Sequence, residues 1–265
     1  MSHHHDHDAG LRADLPRLLG RRRALALFGG AGLAALTVAC TPGDPGRGET
    51  GGPGGAVEPA SPGEIPQETA GPFPGDGSNG PNVLQEAGVV RRDIRPSFGA
   101  LSGVAEGAPL TLDLTVTSAA GAALPGAAVY VWHCDRSGAY SLYDVADQNW
   151  LRGVQVADAA GRVTFTSIFP AAYAGRWPHV HFEVYPDLAR ATGGDAAITT
   201  SQLAFPEAVC RQVYALPGYE DSVGNLDDVS LESDGVFADG VDAQLARMGG
   251  DPATGLAAAL TVPVV

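Results

Sequence analysis

The sequence predicts an all-β fold, an antiparallel β-sandwich with long loops and a disordered N-terminal tether. Three observations carry that expectation. Leu110-Thr111-Leu112-Asp113-Leu114-Thr115-Val116-Thr117 alternates apolar and polar residues at every step, the period of a strand buried on one face. Further short runs rich in Val, Ile, Thr, Tyr and Phe recur between turns of Gly, Pro and Asp, and strands punctuated in this way pack as sandwiches. No long segment among them shows the 3.6-residue apolar repeat of an amphipathic helix.

From the amino terminus, residues 1–40 read as an address rather than as part of the fold. Arg21-Arg22-Arg23 precede an apolar run from Ala24 to Ala39 that ends at Cys40. A basic region, a short apolar stretch and small residues before a cysteine make a bacterial export signal. The run is shorter than the ~20 residues a membrane span needs. Arg-Arg followed by Ala-Leu suits a twin-arginine signal, which exports proteins already folded around a cofactor. Leu36-Thr37-Val38-Ala39-Cys40 resembles a lipobox, with Thr37 in place of the usual aliphatic residue, and cleavage there would leave Cys40 as the lipid-bearing first residue. The protein is therefore expected outside the cell, secreted or lipid-anchored on the outer face of the membrane. His3, His4, His5 and His7 fall in the removed part and are given no metal role.

From Thr41 to Pro66 the chain is Gly, Pro, Glu and Ser with almost no large apolar residue, the composition of a flexible tether. The globular domain is expected over residues 67–265. Its first loops, Thr69–Phe73, Asn79–Asn82 and Arg91–Arg95, are expected to wrap onto the core, with the sandwich proper starting near Pro109. Leu124-Pro125-Gly126 turns the chain into a strand over Ala128–Trp132. The Ala159-Ala160-Gly161 turn leads into Arg162–Ile168, and His179–Tyr185 and Ala197–Phe205 complete the expected strands. The tail from Gly218 is rich in Asp and Gly and is expected to hold at most a short helix near Val241–Met248.

The formal charge is −14 and the chain contains no lysine, so every cationic side chain is an arginine. Loss of residues 1–39 takes away five arginines and three aspartates, which leaves the exported protein more acidic still. So negative a surface argues against nucleic acid as a partner. With Cys40 assigned to export, Cys134 and Cys210 remain as a pair in an oxidising compartment. A disulfide between them is the leading expectation and two separate buried thiols the alternative.

The densest chemistry lies in Arg176-Trp177-Pro178-His179-Val180-His181-Phe182. On a strand, His179 and His181 share one face, and neutral imidazole suits iron, copper, zinc and nickel. The pair alone is equally compatible with two histidines on a solvated sheet face. Two loop tyrosines sharpen the choice: Tyr140 lies just beyond the strand ending in Trp132, and Tyr173 lies six residues before His179. A phenol with a pKa near ~10 must lose its proton to bind a metal, and a trivalent cation drives that loss better than a divalent one. A set of two tyrosines and two histidines therefore favours Fe(III). Tyr143, three residues after Tyr140, competes for the same role.

Together these motifs, Trp132-His133 with Gly138-Ala139-Tyr140-Ser141, Leu151-Arg152-Gly153, Gly161-Arg162 with Thr164-Phe165, Pro170 with Tyr173, and Arg176 with Pro178-His179-Val180-His181-Phe182, resemble the intradiol ring-cleavage dioxygenases. This is the catechol and protocatechuate 3,4-dioxygenase family, and the resemblance covers roughly Thr69 to Tyr214. It implies a β-sandwich and a non-haem Fe(III) held by Tyr140, Tyr173, His179 and His181, with Tyr173 the tyrosine released when substrate arrives. It also implies that Arg176 stabilises negative charge on the bound ring and that Gln202 supports the site from behind. The implied reaction cleaves a catechol-type aromatic with O2 between its hydroxyl-bearing carbons, giving a muconate-type diacid. Two other classes stay open at this point: a non-catalytic, surface-anchored binding module on the same sandwich, and a copper or zinc protein using only the histidine pair.

Overall fold

A computed structural model describes residues 63–265. The expected export signal, Cys40 and all but the last few residues of the tether lie outside the described part. Two four-stranded sheets make the fold. The first has the order β4-β1-β8-β7 and the second β3-β2-β5-β6. Their strands are β1 (Pro109–Ser118), β2 (Ala128–Trp132), β3 (Arg152–Val156), β4 (Arg162–Ile168), β5 (His179–Tyr185), β6 (Thr199–Ala204), β7 (Arg247–Asp251) and β8 (Gly255–Val264).

The alternation that announces β1 does the expected work. Leu110, Leu112, Leu114 and Val116 are all buried, and they meet Val129 and Val131 of β2, Phe182 and Val184 of β5 and Leu256, Ala258 and Val262 of β8 in one core between the sheets. Fully burying a side chain such as Phe182 contributes roughly 1.5–3 kcal/mol. All the sheet pairings are antiparallel except β1 with β8, which run parallel from Leu110 opposite Leu256 to Ser118 opposite Val264.

The second sheet is covered on both faces, and this positions the site. Every residue of β5 is buried. Val180, Phe182 and Val184 enter the core between the sheets, so His179, His181, Glu183 and Tyr185 point to the opposite face. That face carries a second apolar cluster, in which Ala128, Tyr130 and Trp132 of β2 meet Val83, Leu84 and Val89 of the preceding loops. The chain before β1 therefore forms a third layer over the sheet. The layer is anchored where Ile65 N–H donates to Pro263 O (2.9 Å) and Glu68 N–H to Thr200 O (2.7 Å).

Three short helices complete the domain: α1 (Leu188–Gly193), α2 (Glu207–Tyr214) and α3 (Glu220–Asp227). Asp187 caps α1, accepting from Arg190 N, and Gly194 ends it in the left-handed region at φ 86°, where glycine is the usual residue.

Two expectations are corrected. The tail after Gly218 holds α3, a 3₁₀ turn at Phe237–Asp239 and the hairpin β7–β8 in place of a helix near Val241–Met248. Cys134 and Cys210 form no disulfide; both are buried free thiols. They occupy different apolar clusters, Cys134 under the loop layer and Cys210 on α2 in the inter-sheet core. Their thiols donate to separate carbonyls, Ala171 O (3.7 Å) and Phe205 O (3.8 Å).

Candidate active site

Strand β5 sets the two imidazoles side by side, with Nε2 of His179 and Nε2 of His181 3.1 Å apart. His179 Nδ1 lies 2.5 Å from Trp177 O, so this nitrogen carries the proton and Nε2 presents its lone pair. His181 stacks face to face on Trp132, centroids 4.9 Å apart and planes within 6°, and Trp132 stacks in turn on Tyr130. Burial, reinforced by the Arg176 charge, holds both histidines well below the usual imidazole range, so both are neutral, the form that binds metals.

Tyr140 arrives from β2 through a tight loop. Asp135 Oδ1 accepts from Ser137 N (2.8 Å) and Ala139 N (3.0 Å), and Gly138 sits at φ 91° against Tyr173 Cβ. Asp144 Oδ2 then fixes Tyr140 N at 2.8 Å. Tyr173 comes from the β4–β5 loop, which is pinned to α3 through Ala172 N–H to Ser222 Oγ (3.1 Å) and Asn225 Nδ2 to Ala172 O (2.9 Å). The two hydroxyls converge on the histidines. Tyr173 Oη is 3.2 Å and Tyr140 Oη 3.4 Å from His179 Nε2, and the two oxygens are 3.4 Å apart. The structure thus brings together all four of the expected ligand residues.

Tyr143 is not among them. Its hydroxyl donates to Asn79 Oδ1 (2.7 Å) and accepts from Gly75 N (2.9 Å), which commits it to the loop layer.

The donor set suits a metal ion. One lone pair, on His179 Nε2, faces three neighbours at hydrogen-bonding distance but can satisfy only one of them well. His181 Nδ1 is buried with no hydrogen-bond partner among the described residues, so nothing fixes its tautomer against ligation through Nε2. Donor separations of 3.1–3.4 Å are those of neighbouring ligands around one ion with bonds of roughly 2.0–2.2 Å. Burial raises Tyr140 well above the ordinary phenol value and Tyr173 to about 12. Both phenols thus stay protonated unless a strong Lewis acid displaces the proton, which again favours a trivalent cation over a divalent one.

Arg176 stands at the rim of this cluster, its side chain one-fifth exposed. Its Nε donates to Asp234 Oδ2 (2.9 Å) and its Nη2 to Gln202 Oε1 (2.6 Å). Gln202 lies on β6 directly opposite His181, is fully buried, and passes a hydrogen bond from Nε2 to Thr69 O (2.9 Å). Arg176 and Gln202, expected separately, are therefore one hydrogen-bonded unit. Trp177 turns away from the site into the core, where its Nε1 donates to Phe205 O (2.8 Å). Gly71, at φ 70°, lies against the ring of His181, and a Cβ there would meet Cε1 at 3.3 Å. The Thr69–Phe73 loop therefore closes over the histidine face.

Sequence reasoning missed two residues of this neighbourhood. Arg152, 1% exposed, donates to Pro74 O, Phe73 O, Ser141 O, Ser141 Oγ and Tyr130 Oη at 2.8–3.1 Å, tying the loop layer to the segment that carries Tyr140. Its place in Leu151-Arg152-Gly153 was a visible signal, but its role was not. Asp234 lies in the acidic tail with no local mark to separate it from its neighbours.

Comparison with known proteins finds similarity to dioxygenases. A sequence model of a dioxygenase family, described as "Dioxygenase", matches residues 80–191. Over 69 residues the chain is 35% identical to the catechol 1,2-dioxygenase of Pseudomonas sp. (strain EST1001); the match spans 26% of this chain and 23% of that protein, so the chain covers about a quarter of its curated relative. Among solved structures, an intradiol ring-cleavage dioxygenase from Tetranychus urticae superposes with a TM-score of 0.58 at 22% identity, covering 76% of this chain and 94% of that one.

Proposed function

We propose that the chain is an intradiol ring-cleavage dioxygenase that cleaves a catechol-type aromatic with O2 between the two hydroxyl-bearing carbons, using a non-haem Fe(III); the dioxygenase-family match at residues 80–191 and the similar fold support this reading. The observation that carries this reading is the convergence of Tyr140 Oη, Tyr173 Oη and His181 Nε2 on His179 Nε2, each within 3.1–3.4 Å of it. These four residues would hold the ion. When bound, Fe(III) would supply Lewis acidity and the electronic coupling that makes a catecholate reactive toward O2.

The chain's own groups divide the remaining work. Tyr140 is fully buried, whereas Tyr173 is partly exposed. Tyr173 is therefore the phenol with room to leave, and its Oη can take up a substrate hydroxyl proton, which its raised proton affinity favours. The neutral histidines add no charge of their own. Arg176 offers a fixed cation beside the cluster, suited to stabilising negative charge that develops on the ring. The closed loop layer and the buried strand face exclude water from the histidines.

The export signal and the lipid anchor at Cys40 belong to the same proposal and rest on the sequence. They imply a catechol met outside the cell, with the membrane reached through the anchor alone.

The test is the metal itself. Purified protein loaded with ferric iron should bind about one ion per chain and show the burgundy tyrosinate-to-iron charge transfer, shifting when catechol is added without air. A colourless protein with stoichiometric zinc or copper that leaves catechols untouched would sink the proposal.

A further inference from the structure

We propose that Asp234 is a positioning residue for Arg176, holding the guanidinium at the angle from which it meets the substrate ring; this rests on the dioxygenase reading of the site. Asp234 is fully buried, and both its oxygens are occupied. Oδ2 accepts from Arg176 Nε (2.9 Å) and from Trp177 N (2.6 Å), while Oδ1 accepts from Val236 N (2.8 Å) and Phe237 N (3.3 Å). One carboxylate thus joins the turn before Phe237–Asp239 to the backbone immediately ahead of β5.

The consequence follows from the flexibility of arginine. A free guanidinium samples many rotamers, and ordering it costs side-chain entropy. Here two planar contacts from different elements remove that freedom, Asp234 at Nε and Gln202 at Nη2 (2.6 Å). Gln202 alone is a single neutral acceptor and leaves rotation about the Nε end open. Asp234 adds a charge-assisted bond, and its second bond, from Trp177 N, holds the same residue whose carbonyl fixes His179 Nδ1. Arg176 is thereby set in register with the histidine it accompanies. A surface carboxylate would supply charge without this geometry, because exposed pairs hold no single orientation.

A double-mutant cycle on the iron-loaded enzyme tests this, with Arg176→Ala, Asp234→Asn and the double variant compared for kcat, KM and the resting charge-transfer band. Asp234→Asn should keep iron and the band, and lower kcat by up to about a hundredfold with little change in KM. The double variant should be no worse than Arg176→Ala alone. Additive losses, or a wild-type kcat in Asp234→Asn, would overturn the proposal. Because a buried aspartate can be needed for folding, Arg176→Lys gives a second reading: it keeps the charge but loses the Nε donor, so it should fall close to Arg176→Ala, and activity within threefold of wild type would refute the assignment. In metal-free protein, the Arg176 Nε–H should exchange slowly by NMR, and rapid exchange would equally refute it. An enzyme inert toward every catechol would defeat the dioxygenase reading, whereas the exchange measurement would still decide the Asp234–Arg176 link.

Discussion

At the scale of single residues, the site turns on which of two neighbouring tyrosines faces the histidines. Tyr140 Oη lies 3.4 Å from His179 Nε2, while Tyr143 Oη is spent on Asn79 and Gly75. Tyr140→Phe is therefore expected to abolish stable iron binding and the visible band, and Tyr143→Phe to preserve both, as read by metal analysis and absorbance. His133 offers a separate test of the core beside the site. It is buried, with Nδ1 2.7 Å from Cys134 O and Nε2 2.7 Å from Ser167 Oγ, and burial lowers its pKa to about 4. The unfolded chain, with histidine near ~6.5, binds this proton more readily. His133 thus contributes fully above about pH 6.5 and loses that contribution as pH falls toward 4, by roughly 3 kcal/mol at most. Denaturant unfolding of wild type should steepen over that window relative to His133→Gln; parallel pH profiles would show that His133 is not buried neutral.

Among the elements, what was legible in the sequence depended on how local each signal was. Strands β1, β2, β4 and β5 begin and end where alternation and turns place them, because a half-buried strand writes its period into neighbouring residues. Strand β8 does not announce itself. Its inward positions include Ala258 beside Leu256, Leu260 and Val262, a weak apolar contrast in an Ala-rich run. Its partner β1 lies about 140 residues earlier in a parallel register, which no local pattern encodes. The shared direction of His179 and His181 was legible because a strand with two-residue spacing fixes it. Asp234 was not, because its role arises only when the tail folds back beside Trp177. The contact of the loop layer with the sheet was equally hidden, and Arg152 is its keystone. Arg152→Met should leave the carbonyls of Phe73, Pro74 and Ser141 short of donors in a buried place, each costing about 1–3 kcal/mol. The expected result is a lowered melting temperature together with weaker iron retention, since the same bonds hold the Tyr140 segment. A variant that melts lower yet keeps iron as tightly as wild type would separate the clamp from the site.

For the whole molecule, the two sheets bury one core while the second sheet carries the candidate site on its other face, under a layer built from the chain before β1. That arrangement buries Tyr140, His179 and His181 close together and leaves Tyr173 and Arg176 at the rim. An acidic chain without lysine places its few cations sparingly, and one of them stands beside this cluster. The measurement that tests the central claim most directly is mass analysis of the product formed from catechol under ¹⁸O₂ by the iron-loaded protein. The account predicts a ring-opened muconate-type diacid carrying one atom of ¹⁸O in each new carboxyl group. A semialdehyde from cleavage beside the diol, a quinone without ¹⁸O, or unchanged catechol would contradict it.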